Sequence, residues 1–126
     1  AIGRHELLWV DARTFEETNR TAVYGQPVFA VAGPDGRNVW VNFAHPLNDT
    51  IQVVDSLTGS IVKQWKPGPA VLHIEFAPRG HDVWVSVRDA NVVQVYDAYT
   101  FEKKAEIAAN SPSGIFLTAR AHRMGL

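Results

Sequence analysis

Hydrophobic residues in this chain come in short runs separated by turn residues. Val28 to Ala32, Asn38 to Phe43, Thr50 to Asp55 and Ser60 to Trp65 form one group, and Val71 to Phe76, His81 to Val87, Val92 to Asp97 and Glu102 to Ile107 form a second. Each run is 5–7 residues long and rich in β-branched and aromatic side chains, which fit a pleated, half-buried surface and predict strands. Gly33-Pro34-Asp35-Gly36 and Ser56-Leu57-Thr58-Gly59 interrupt the runs. There Pro presets φ and Gly admits positive φ, as tight turns require. No segment holds a 3.6-residue period. Glu16, Glu17 and Arg20 would suit one helical turn, but the repeat described next places them on a fourth strand. Val28 to Ala32 is almost wholly apolar, and the first strand of each blade is expected to be covered on both faces. Ser60 to Trp65 mixes polar and apolar residues, as an outer strand would.

The pattern repeats. Val10-Asp11-Ala12-Arg13-Thr14-Phe15 returns as Val54-Asp55-Ser56-Leu57-Thr58-Gly59 and as Tyr96-Asp97-Ala98-Tyr99-Thr100-Phe101, so the aspartates stand 44 and 42 residues apart. Pro34-Asp35-Gly36 with Val39-Trp40-Val41 returns as Pro78-Arg79-Gly80 with Val83-Trp84-Val85, again 44 residues on. A period in the forties built of four short strands predicts β-propeller blades. The expected fold class is therefore all-β, with four antiparallel strands per blade. The expected divisions are a half blade over 7–24, blades over 25–66 and 69–108, and a closing strand over 111–126. Only about three blades fit 126 residues, whereas a ring typically takes roughly 4–8. The chain would start in mid-blade, at a third strand from Leu7 to Asp11, and end after a first strand from Gly114 to Thr118. Two accounts fit that phase: a C-terminal piece of a larger propeller, or several copies closing a ring through their open blade edges.

Composition narrows the function classes. A net charge of −1 gives no field favouring nucleic acid or an anionic membrane, and no apolar run approaches the roughly 18 residues of a membrane helix. There is no cysteine, which excludes disulfides, Cys-ligated zinc and the Cys-x-x-Cys-His attachment of c-type haem. The chain begins at Ala1, directly ahead of a strand-like Leu7-Leu8-Trp9-Val10, as a processed protein or a piece of a longer one would. Trp9, Trp40, Trp65 and Trp84 occupy repeat positions and are expected to pack. Asp11, Asp55 and Asp97 are expected to cap the backbone amides of their turns.

One repeat departs from its siblings. Aligning Pro34 with Pro78 sets Phe29 opposite His73 and Val31 opposite Glu75, with Ile115 and Leu117 at the corresponding places on the last strand. Residues two apart on a strand share a face, so His73 and Glu75 should emerge together while Leu72, Ile74 and Phe76 keep the core. Burying an ionisable pair near the axis is costly without compensation. Three readings stay open: a pair tying two blades, a ligand-facing histidine at the mouth of the central channel, or plain solvent exposure. His45, in the loop that carries the two extra residues of its repeat, and His81 read as surface, while His5, near a chain end, carries no signal. In the tail, an extended Thr118, Arg120 and His122 would present donors suited to carboxylates, with a solvated terminus as the plain alternative.

Val71-Leu72-His73-Ile74-Glu75-Phe76-Ala77-Pro78-Arg79-Gly80, then Val83-Trp84-Val85-Ser86-Val87-Arg88-Asp89, and the ending Pro112-Ser113-Gly114-Ile115-Phe116 through Ala121-His122-Arg123 together resemble the C-terminal part of the cytochrome cd1 family. The resemblance spans roughly residues 28 to 126, and the ending is most similar to the branch serving haem d1 biosynthesis. It implies an eight-bladed propeller with d1-type haem, or its dihydro-haem d1 precursor, across the axial mouth. It implies a periplasmic protein of denitrification, with a c-type cytochrome or other d1-biosynthesis proteins as partners. His73 would approach the distal face of the tetrapyrrole as ligand or, with Glu75, as a catalytic proton-transfer group. Arg120, His122 and Arg123 would bind the cofactor, the arginines through ring carboxylates. A biosynthetic role is favoured over nitrite reduction. A non-enzymatic propeller scaffold, or the d1 domain of a nitrite reductase, are the rival readings.

Overall fold

The computed structural model describes residues 3–117. Ten strands follow in chain order: β1 (Glu6–Val10), β2 (Glu17–Ala22), β3 (Pro27–Ala32), β4 (Asn38–Phe43), β5 (Ile51–Asp55), β6 (Ile61–Trp65), β7 (Val71–Phe76), β8 (Asp82–Val87), β9 (Val92–Asp97) and β10 (Lys103–Ala108). They make a two-stranded sheet, β1-β2, and two four-stranded sheets, β3-β4-β5-β6 and β7-β8-β9-β10. All pairings are antiparallel between consecutive strands. The all-β expectation and the blade-like sheets are thus what the chain adopts. Residues 111–117 pair with no strand among the described residues, so the described part of the expected closing strand is not a strand. A strand exists through the neighbour it bonds to.

The repeat extends to the irregularities. On the inner strands, Pro27 pairs with Phe43 and Phe29 with Asn42, leaving Val28 as an extra residue; Val71 pairs with Val87 and His73 with Ser86, leaving Leu72. On the outer strands the extra residues are Thr18, Val62 and Lys104. Each set falls at one repeat position. Such bulges strengthen the local twist and blunt an exposed edge. The inner bulge corrects one expectation. Because Leu72 is the extra residue, strict alternation fails there, and Val71 rather than Leu72 joins Ile74 and Phe76 in the core.

The recurrent aspartates cap their turns as expected. Asp11 Oδ1 accepts from the N–H groups of Arg13 (2.8 Å) and Thr14 (3.0 Å). Asp55 does the same for Leu57 and Thr58, and Asp97 for Tyr99 and Thr100. The turns close through a residue with positive φ: Phe15 (60°), Gly59 (73°) and Phe101 (64°). Backbone donors, led by Thr14 N–H and Thr100 N–H, hold Asp11 and Asp97 below the usual carboxyl value of 3.8. For Asp55 the Arg37 guanidinium is the leading cause. A carboxyl whose folded pKa is depressed stabilises the fold above its unfolded value and loses that contribution as pH falls through the folded one. Stability is therefore expected to be level above 3.8 and to fall below it. Denaturant midpoints measured across that range check this, and Asp97→Asn should flatten part of the acid slope.

The main core lies between the two four-stranded sheets. Trp40 of β4 is fully buried and sits edge-on to Trp65 (5.1 Å) and Phe76 (6.0 Å), with Tyr96 and Phe101 also against it. Ile51 and Val53 complete one side, and Ile74, Val83 and Val85 the other. On the opposite face of the first sheet, Val39, Val41, Phe43 and Val54 pack with Leu7 and Trp9 of β1. Middle strands β4 and β5 are consequently buried on both faces. The expectation of double coverage for the first strands fails for β3, where Val28, Phe29 and Ala30 stay exposed. Its core contacts run through Val31, which packs on the inter-sheet cluster.

Candidate functional site

Two side-chain ties set neighbouring inner strands beside one another. Asn42 is buried in β4; its Oδ1 accepts the Phe29 N–H (3.0 Å) and its Nδ2 donates to the Val71 carbonyl (3.1 Å). One repeat later, the Ser86 hydroxyl donates to the Ser113 carbonyl at 2.5 Å. The donors are 44 residues apart and the acceptors 42, so both ties are one repeating device. Residues 111–117 therefore follow the second sheet where an inner strand would.

This places three repeat-equivalent regions in a row with His73 in the middle. Its ring centroid is 6.2 Å from that of Phe29 on one side and 6.2 Å from that of Phe116 on the other, at tilts of 49° and 50°. Phe29 is 51% exposed and Phe116 88%, so both rings also open to solvent. The bulge at Leu72 does not disturb the two-residue spacing beyond it, and Glu75 emerges on the face of His73. His73 Nε2 lies 3.6 Å from Glu75 Oε2, with the two side chains 25% and 15% exposed. Nε2 itself is shielded from solvent and has no hydrogen-bond acceptor at bonding distance. The pair belongs to one strand, and the aromatic contacts of His73 reach Phe29 on the neighbouring inner strand and Phe116 on the other side.

The remaining candidates fall elsewhere. Arg120, His122 and Arg123 lie outside the described residues. His45 and His81 are exposed, as their sequence contexts indicated, and His5 is exposed as well. Among the described residues no three His, Asp or Glu side chains gather to hold a metal ion, and no helix is long and apolar enough to cross a membrane. Sequence reasoning singled out His73 and Glu75 but missed Phe29 and Phe116 as their flanks, although Phe29 is the repeat equivalent of His73. It also passed over Asn42 and Ser86. Their signal was a polar residue at one position of two otherwise apolar second strands, Val39-Trp40-Val41-Asn42-Phe43 and Val83-Trp84-Val85-Ser86-Val87.

The family model for the cytochrome D1 heme domain matches residues 1–121. The chain belongs to the cytochrome D1 heme domain family. Within reach of that family, it is 49% identical over all 126 residues to protein NirF of Stutzerimonas stutzeri and equally to protein NirF of Pseudomonas aeruginosa. It spans 32% of the length of each, about a third of these curated relatives. The dihydro-heme d1 dehydrogenase of Pseudomonas aeruginosa is 26% identical over 117 residues, 90% of this chain and 24% of that protein. The solved structure of dihydro-heme d1 dehydrogenase NirN in complex with DHE superposes with a TM-score of 0.79 at 26% identity, covering 90% of this chain and 25% of that one. Hydrazine synthase of Kuenenia stuttgartiensis superposes at 0.76 with 30% identity over 86% of this chain and 31% of that one.

Proposed function

We propose that this chain supplies part of the tetrapyrrole site of a periplasmic propeller acting in haem d1 biosynthesis, with d1-type haem or its dihydro precursor as the bound group. The observation that supports it most is the 49% identity to NirF across the whole chain. The residues at the inner strands suit such a group. A macrocycle brings four donors of its own to its metal, so one imidazole can serve as its protein ligand. The exposed rings of Phe29 and Phe116 offer flat apolar surface beside that imidazole.

When bound, the group would supply an iron centre and a conjugated ring. The part of this chain is to bind and orient it. Phe29 and Phe116 cover apolar surface and exclude water. His73 offers a ring nitrogen as ligand or proton acceptor, and Glu75 places a carboxylate behind it. Arg120 and Arg123 are assigned to ring carboxylates, for which the guanidinium fork is suited, and His122 to the same ligand. A c-type cytochrome or other proteins of d1 biosynthesis are the proposed protein partners.

Titrating the full-length protein with dihydro-haem d1 and following visible absorbance tests this. The wild type should shift the spectrum, and His73→Ala should raise Kd about tenfold or more, equivalent to about 1.4 kcal/mol. A wild-type spectrum that does not move, or a Kd indifferent to His73→Ala, would sink the assignment.

A further inference from the structure

The shielding of Nε2 decides which end of the His73 ring is on offer. A quarter of the side chain is accessible, but Nε2 has no part in that accessible surface. The accessible part belongs to the other side-chain atoms, among which Nδ1 is the remaining ring nitrogen. The group facing Nε2 is the Glu75 carboxylate at 3.6 Å, and the flanking rings of Phe29 and Phe116 confine the imidazole between them. An N–H left buried without an acceptor costs about 1–3 kcal/mol. A Glu75 oxygen at hydrogen-bond distance would remove that cost. The sibling blade carries neither group, having Phe29 and Val31 at the same positions, so histidine and glutamate enter this repeat together.

We propose that Glu75 is a positioning residue that draws the Nε2–H of His73 inward, so that the Nδ1 lone pair is the atom presented to a ligand at the axial mouth. This rests on the tetrapyrrole reading for the identity of the ligand, not for the arrangement of the pair. Second-sphere carboxylates fix the tautomer and orientation of functional histidines in this way.

The test is ring-nitrogen NMR on the full-length, ligand-free protein labelled with 15N-histidine, His73 being assigned by the signal lost in His73→Gln. The expected result is a solvent-protected ring proton bonded to Nε2. It should disappear in Glu75→Ala and exchange about tenfold faster in Glu75→Gln, whose amide oxygen still accepts. A protected proton on Nδ1, no protected proton, or an Nε2 signal unchanged in Glu75→Ala overturns the proposal. If Glu75→Ala fails to fold, the wild-type signal and the Glu75→Gln exchange rate decide it. Dihydro-haem d1 titration of the same samples separates the two claims. A silent wild-type titration with the ring proton on Nε2 refutes the tetrapyrrole reading and supports the pair. An intact titration with no Glu75-dependent ring proton refutes the pair alone.

Discussion

Trp40→Ala is expected to destabilise the protein by about 3–5 kcal/mol, the cost of emptying a large aromatic site that cannot collapse. Trp40 is fully buried, and its ring is the point where both four-stranded sheets meet. Trp65 touches it from its own sheet, and Phe76, Tyr96 and Phe101 from the next. Losing it removes packing partners from four other rings at once, so the damage falls on the contact between blades rather than within one. In thermal unfolding this corresponds to a drop in Tm of roughly 10 °C. Trp40→Phe keeps a ring in place and should cost less. A Tm within a degree or two of wild type for Trp40→Ala would show that the inter-sheet core does not hold the arc together.

The second large effect is expected from Asn42→Leu. The substitution preserves volume approximately but leaves the Phe29 N–H and the Val71 carbonyl without the partners that Asn42 supplies. An unsatisfied buried group costs about 1–3 kcal/mol; the tie to Val71 is buried and the one to Phe29 part-buried, so stability is expected to fall by at least that amount in urea unfolding. Asn42→Ser imitates the equivalent Ser86, whose single hydroxyl makes the next tie, and should be milder. The effect should also reach the candidate site, because Asn42 anchors the strand segments that carry Phe29 and His73. Weaker binding of dihydro-haem d1 by Asn42→Ser, without contact between Asn42 and the ligand, would reveal that link. Equal urea midpoints for Asn42→Leu and wild type would refute the tie.

Much of the architecture was legible because the repeat is written in the sequence. The Asp11, Asp55 and Asp97 turns announce their own geometry, since an aspartate can cap amides only two and three residues ahead. Apolar runs bounded by such turns leave little choice but short antiparallel strands. The departure of one repeat at His73 and Glu75 was visible in the same way, as a difference between sequences that should match. What was not legible is what depends on neighbours. The bulge at Leu72 exchanges Leu72 for Val71 in the core, and no local signal distinguishes an extra residue from a paired one. Phe29 looked like an inner-strand core residue and is instead half-exposed beside His73, because the sheet contacts of β3 run through Val31.

By itself the sequence determined the strand periodicity, the turn chemistry and the position where one blade breaks the pattern. These follow from covalent spacing and from the two-residue alternation of a strand. The tertiary structure alone decided which side chains meet across blades. Trp40 against Phe76, Asn42 against Val71, and His73 between Phe29 and Phe116 are contacts between segments about 30–45 residues apart. They arise from twist, bulges and packing, which act on the whole arc rather than within one repeat.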